Sequence, residues 1–240
     1  EVPADPKLYS QDIATDDIAA VLRHLKIKKA HVVGLSMGGF AALHFAIRYP
    51  RLASSVVVAG CGYGAPKGER ADFLAEVRET VKRFRTESMA VVAKDYGAGP
   101  TRVQLQNKDP RGFAEFNAQL TEHSAEGMAL TMRGVQGRRP SIYDLTAKMK
   151  RIKVPLLLLT GDEDEPCLDA NIYMKRTIPT SGLVIIPKTG HAANLEEPAA
   201  FNQALQDFFA SAEQGRWGTR DPRSVSAKLL SVTATGKKKK

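Results

Sequence analysis

The chain has no apolar run approaching the ~20 residues that cross a bilayer, so no membrane span is expected. Cysteine is scarce. Cys61 and Cys167 supply neither a disulfide framework nor zinc-ligand spacing, which points to a reduced, cytoplasmic setting with room for one disulfide at most. The first residues, Glu-Val-Pro-Ala-Asp-Pro-Lys, hold no initiator Met and no basic-then-apolar leader. There is no phosphate loop, dinucleotide fingerprint or metal-ligand cluster, so no cofactor and no metal is expected. What remains is an ordinary globular mixture, 43% hydrophobic and 25% charged.

A formal charge of +9 suggests nucleic acid until it is located. Six of those nine charges fall in the last 28 residues, which include Arg216, Arg220, Arg223, Lys228 and the run Lys237 to Lys240. Residues 1–212 carry only +3. A basic end on a near-neutral body reads as a solvated, disordered tail over 213–240, with no specific nucleic-acid partner. The expected partner is a small-molecule substrate, and the sequence gives no oligomeric state.

Hydrophobic periodicity organises the body. Residues 10–26 carry an apolar stripe of Ile13, Ile18, Val21, Leu22 and Leu25 at helical spacing, with Ser10 as the cap. Residues 30–35 form a short β-branched run that predicts a strand buried on both faces. Phe40 to Tyr49 predicts a helix stopped by Pro50, and 56–59 a second buried strand. From Cys61 to Lys150 no strand-like run occurs, and helices are expected near 70–86, 88–96, 111–120 and 122–135. Strands resume at 155–160 and 183–186, with helices at 168–177 and 198–212. Strand alternating with helix implies an α/β architecture: a mostly parallel sheet flanked by helices. The core would be 1–60 and 151–212, with 61–150 a helical insertion.

The strongest chemical signal is Gly34-Leu35-Ser36-Met37-Gly38, between a predicted strand and a predicted helix. A serine on so sharp a turn stands clear of the sheet's carboxyl edge. Both flanking glycines are expected to be sterically required. The amide of Met37, at the start of the helix, is placed to receive a developing oxyanion. Serine needs a base, and the base needs an acid. Of the five histidines, His24 and His44 lie in helices, His31 begins a strand and His123 lies in the insertion. His191 alone falls in a loop at a strand's carboxyl end, on the edge where Ser36 is expected. The loop Gly161-Asp162-Glu163-Asp164-Glu165-Pro166 offers four carboxylates on that edge, and spacing does not choose between Asp162 and Asp164.

Gly-Leu-Ser-Met-Gly-Gly, Thr-Gly-Asp-Glu-Asp-Glu-Pro and Thr-Gly-His-Ala-Ala-Asn-Leu-Glu-Glu-Pro, in the order Ser, Asp, His, resemble the α/β-hydrolases from about residue 8 to 212. The resemblance implies Asp164 as the acid and a helical cap over 61–150. It also implies hydrolysis of an ester, lactone or related bond through an acyl-enzyme or gem-diol-type intermediate. The similar subgroups are carboxylesterases, enol-lactonases and carbon–carbon-bond hydrolases. Members with an aspartate nucleophile do not fit, because position 36 is serine.

One feature departs from that pattern. The family places several strands ahead of the nucleophile, and a loop there, often containing His-Gly, supplies a second oxyanion donor. Only 35 residues precede Ser36 and none forms His-Gly. The chain is therefore expected to resemble a member lacking its N-terminal part, with strand 30–35 an exposed apolar edge and turnover lowered ~10²–10³-fold. A non-catalytic, ligand-binding homologue is the alternative. In the insertion, Met128 with Met132 and Phe113 with Phe116 either meet an apolar substrate or pack helix on helix. Arg102, Arg111, Arg133, Arg138 and Arg139 are expected to form a solvated face rather than to meet a substrate carboxylate.

Overall fold

Ser10 opens the first helix of the computed structural model, which describes residues 2–225. Its hydroxyl accepts the Ile13 amide at 3.1 Å, capping α1, Gln11–His24. β1 (Ala30–Leu35), α2 (Met37–Arg48) and β2 (Ala53–Ala59) follow. A wholly helical stretch comes next: α3 (Arg70–Thr86), α4 (Met89–Gly97), α5 (Val103–Lys108), α6 (Pro110–Thr121), α7 (Ala125–Thr131) and α8 (Thr146–Met149). The alternation then resumes with β3 (Leu156–Gly161), α9 (Glu165–Thr177), β4 (Ser181–Ile186), α10 (Ala193–Glu196) and α11 (Pro198–Glu213).

The four strands pair in parallel in the order β1-β2-β3-β4. β2 and β3 are central, and Val56, Val57, Val58 and Leu156 to Leu159 are buried, as unbroken apolar runs require when both faces are covered. α2 is buried at every position from Gly39 to Ala46, which makes it a core helix rather than an amphipathic one. The main core joins α2, β2 and β3 to Leu22, Met174 and Ile178. No described helix is long and apolar enough to cross a membrane.

Several expectations need correction. β1 is not buried on both faces as its apolar run suggests; it is the exposed edge strand that the short stretch ahead of Ser36 leads one to expect, with one neighbour and Val33 43% exposed. The buried face of α1 is Gln11, Thr15, Ala19 and Leu22, while Val21 and Leu25 stand 55% and 58% exposed. Small residues at 15 and 19 let α1 approach α2 closely, and that contact outweighs the larger apolar side chains. The ends of the 61–150 stretch pack into the main core. Cys61 and Ala65 at one end and Ile142, Leu145 and Met149 at the other are buried in the main core. A separate small cluster of Phe73, Val77, Phe84, Val92, Ala129 and Met132 holds the middle together. α5 was not anticipated.

Part of the stretch expected to be a tail, 213–225, makes contacts with the core. The Trp217 indole N–H donates to the Thr180 carbonyl at 2.8 Å, and the ring meets Phe208 edge-on at 4.6 Å. Gly182 makes room for it, since a Cβ there would come within 2.5 Å of the indole. An aromatic anchor and a backbone bond from Arg220 to Pro179 at 2.8 Å give this stretch a fixed course. Residues 226–240, including Lys228 and the terminal lysines, lie outside the described residues.

Candidate active site

Ser36 sits between β1 and α2 at φ 56°, ψ −116°. A non-glycine residue at positive φ is strained, and here the strain lifts the side chain out of the turn. The Ser36 amide donates to the Ala59 carbonyl at 2.9 Å, tying the turn to the end of β2. Gly34 is required by space: a Cβ there would lie 2.0 Å from the Gly38 carbonyl oxygen. Gly38 is not, for a Cβ at that position meets nothing within 4 Å. The second required glycine is Gly39, whose Cβ would lie 2.7 Å from the Ala59 carbonyl oxygen. Met37 begins α2, so its amide is among the first-turn donors that have no intrahelical acceptor.

The loop after β4 brings His191 to this edge. Its Nε2 lies 2.7 Å from Ser36 Oγ and its Nδ1 2.9 Å from Asp164 Oδ2. With an ionised carboxylate as acceptor, Nδ1 carries the proton and Nε2 accepts from the serine hydroxyl. Asp164 is fully buried, while the other acids of its loop are not. Of the two candidates, Asp164 and not Asp162 meets the imidazole. Asp162 Oδ1 accepts the Thr189 amide at 3.1 Å and braces the histidine loop from below. Glu163 bonds Gln104 and faces Lys188, and Glu165 begins α9 in solvent. Four carboxylates share one loop because three are solvated. The remaining histidines lie elsewhere: His31 bridges Ser55 and Glu213 at 2.7 and 3.0 Å, and burial holds His44 down at about 4.

Two groups around His191 escaped the sequence reading. Glu196, 6% exposed, accepts the amides of both Gly190 and Ala192, the latter at 2.9 Å. The amide between them, that of His191, donates to the Thr101 carbonyl at 3.0 Å. Three consecutive N–H groups are thus fixed, two by one carboxylate and one by the helical segment. Burial pushes the Glu196 carboxyl up, against the pull of its two amide donors. The only sequence signal was Leu-Glu-Glu-Pro itself, in which Glu196 and Glu197 look alike. Glu197 instead pairs with Lys108.

Asp164, Cys167 and His191 offer donor atoms within 4.8 Å of one another, a grouping that can hold a metal ion. Asp164 and His191 spend those atoms on each other, and burial beside the Asp164 carboxylate pushes the Cys167 thiol up, away from the thiolate a metal needs. Both cysteines are free and buried. Ser36 and His191 open onto a cavity of about 440 Å³, walled by Phe40, Tyr63, Phe73, Val77, Tyr96 and Met132 with Arg102 and Arg139. Of the paired apolar residues, Met132 faces this cavity as well as the insertion's own core, and Met128 packs against that core. Arg111, Arg133 and Arg138 are solvated as expected, but Arg102 and Arg139 turn inward.

The sequence matches the model of the Alpha/beta hydrolase family over residues 3–204. The chain belongs to that family. This alpha/beta hydrolase is 26% identical over 213 residues to a Bacillus subtilis protein provisionally named 2-succinyl-6-hydroxy-2,4-cyclohexadiene-1-carboxylate synthase, covering 88% of this chain and 77% of the relative. It is 26% identical over 199 residues to 3-oxoadipate enol-lactonase 2 of Acinetobacter baylyi, covering 82% of this chain and 70% of the lactonase. Among solved structures, MenH from S. aureus superposes with a TM-score of 0.77 at 23% identity, over 85% of this alpha/beta hydrolase and 76% of MenH.

Proposed function

We propose that this alpha/beta hydrolase is a serine hydrolase that cleaves a carboxylic ester, a lactone or a related acyl bond of a small molecule. Ser36 is its nucleophile, His191 its base and Asp164 its orienting acid. One observation carries the reading: a single imidazole bridges Ser36 Oγ at 2.7 Å and a buried carboxylate at 2.9 Å. Similarity to a protein named as an enol-lactonase supports the acyl chemistry. The helical segment serves as a cap over the cavity, and two buried free thiols suit a reducing, cytoplasmic setting.

In this mechanism Ser36 Oγ attacks the substrate carbonyl carbon as its proton passes to His191 Nε2. Asp164 holds the imidazole tautomer and stabilises its cation. The carbonyl oxygen becomes an oxyanion received by the Met37 amide, with the partial positive charge of the α2 N-terminus behind it. Collapse of the tetrahedral adduct breaks the bond to the leaving oxygen, which takes the proton from His191. Water then gives a proton to His191 and attacks the acyl-enzyme, and Ser36 leaves with that proton. Each step uses only groups of this chain, the substrate and water.

A fluorophosphonate probe followed by peptide mapping tests the assignment. Labelling is expected on Ser36 and nowhere else, and it should vanish in Ser36→Ala together with hydrolysis of activated esters. Labelling that survives Ser36→Ala would rule the nucleophile out. Unlabelled Ser36 in a chain that binds apolar acids without turnover would replace this reading with a non-catalytic one.

A further inference from the structure

Arg139 is a buried cation without an anion. It is 3% exposed, and its guanidinium lies 3.6 Å from the centroid of the Phe40 ring, one turn along α2 from Ser36. Nη2 donates to the Tyr63 carbonyl at 2.8 Å. Arg70 in turn holds the Arg139 carbonyl at 2.7 Å, so the backbone beneath the guanidinium is fixed. Among the described residues no carboxylate pairs with it. Four acids share its cavity and none pairs with it: Glu76 accepts from the Tyr63 hydroxyl, exposed Glu79 lies 4.0 Å from Lys82, Asp95 pairs with Arg83 at 2.7 Å, and Asp164 holds His191 through Oδ2, its buried Oδ1 having no hydrogen-bond partner.

Taking an arginine out of water without a counter-charge is unfavourable, and a ring face offsets only part of the loss. Burial pulls the guanidinium down to about 10, which still leaves it charged at neutral pH. The fork has five donors, and only one protein acceptor is seen for it. Among the described residues no acceptor meets its other donors, and Arg139 lines the cavity onto which Ser36 opens. Such a group is poised for an arriving anion.

We propose that Arg139 binds a carboxylate carried by the acyl part of the substrate, making the cavity selective for esters or lactones of dicarboxylic or keto acids over neutral ones. The proposal rests on the serine-hydrolase reading above, since it names the substrate class of that same site. A planar carboxylate fits two adjacent N–H groups of a guanidinium. One buried positive charge on an otherwise apolar wall matches a single negative charge on an apolar body. Arg102, half-buried and stacked 4.8 Å from the Tyr96 ring, adds to the field of the same cavity.

The test compares two p-nitrophenyl esters of equal length, the hydrogen glutarate monoanion and the neutral pentanoate. The wild-type enzyme should favour the anion in kcat/KM by ~10-fold or more, and Arg139→Gln should lower the anion's value ~10²-fold, mainly through KM, with the pentanoate changed less than ~3-fold. Arg139→Lys should fall between them. An unselective wild type, or equal losses on both esters in Arg139→Gln, would overturn the proposal and leave Arg139 as a structural prop. Ser36→Ala run alongside separates the two claims, because persistent hydrolysis there defeats the serine reading and not the anion site. Should Arg139→Gln fail to fold, the wild type decides. Glutarate should protect Ser36 from the fluorophosphonate at least ~10-fold better than glutaramide, and equal protection refutes the proposal.

Discussion

Replacing Glu196 with alanine removes both acceptors for the amides on either side of His191. Each buried N–H left unpaired costs about 1–3 kcal/mol, so the two together destabilise the loop by about 2–6 kcal/mol if no water enters. The loop keeps other tethers, the bond from the His191 amide to Thr101 and, one residue before Gly190, the bonds of Thr189 to Asp162 and to the Glu163 amide. A displacement of the imidazole by about 1 Å lowers proton transfer up to ~10²-fold. The expected result is therefore a kcat reduced ~10–10²-fold with KM within ~3-fold, since Glu196 holds the base and not the substrate. Glu196→Gln, close in shape, keeps one acceptor but turns an NH2 group toward the other amide, and should show a similar kcat loss with less thermal destabilisation. Ester hydrolysis gives kcat and KM. The downfield proton resonance of His191 Nδ1–H reports the bond to Asp164 independently. A variant with a lower Tm but unchanged kcat and an unmoved resonance would show that Glu196 merely supports α10, and would refute the positioning argument.

Gly39→Ala should unfold or misalign the elbow and abolish fluorophosphonate labelling, because its Cβ would press on the Ala59 carbonyl, whereas Gly38→Ala should label at nearly the wild-type rate. Asp164→Asn should lower kcat by ~10³–10⁴-fold by favouring the wrong imidazole tautomer, while Asp162→Asn should lose no more than ~10-fold, through a looser Thr189. Stability should decline in acid through His44, whose folded value is about 4 against 6.5 in the unfolded chain. The unfolded state takes up that proton first, so the contribution is full above pH 6.5 and is lost as pH falls towards 4. The loss amounts to about 3 kcal/mol. His44→Leu should flatten the dependence of Tm on pH across that window, and an unchanged slope would contradict the assignment.

The sheet and the strand–turn–helix that carries Ser36 were legible because each depends on local patterning. Apolar runs such as 156–159 have few other uses, and Gly-x-Ser-x-Gly between strand and helix constrains the backbone itself. His191 was legible from position alone, the one histidine in a loop at the carboxyl edge. What escaped depends on direction. Nothing in the composition of α1 says that Thr15 and Ala19 face α2 in preference to Val21 and Leu25, because the choice rests on how closely two helices can approach. Asp162 and Asp164 differ by two positions and by complete burial, which only the packing of α9 and the histidine loop decides. Glu196 and Glu197 are neighbours with opposite fates for the same reason. Arg138 and Arg139 are adjacent as well, one in solvent and one against Phe40, and charge patterning could not separate them.

The hydrogen bond between Thr101 and His191 joins two parts of the molecule that the chain keeps 90 residues apart. Any ligand large enough to push the turn at Pro100–Arg102 outward tugs on the same peptide that carries the imidazole. Admission of a molecule and readiness to transfer a proton are consequently not independent events. On the proposed serine-hydrolase reading, an oversized guest would arrive to find the base pulled out of line, and the size of the guest would then be read by the proton relay as well as by the walls.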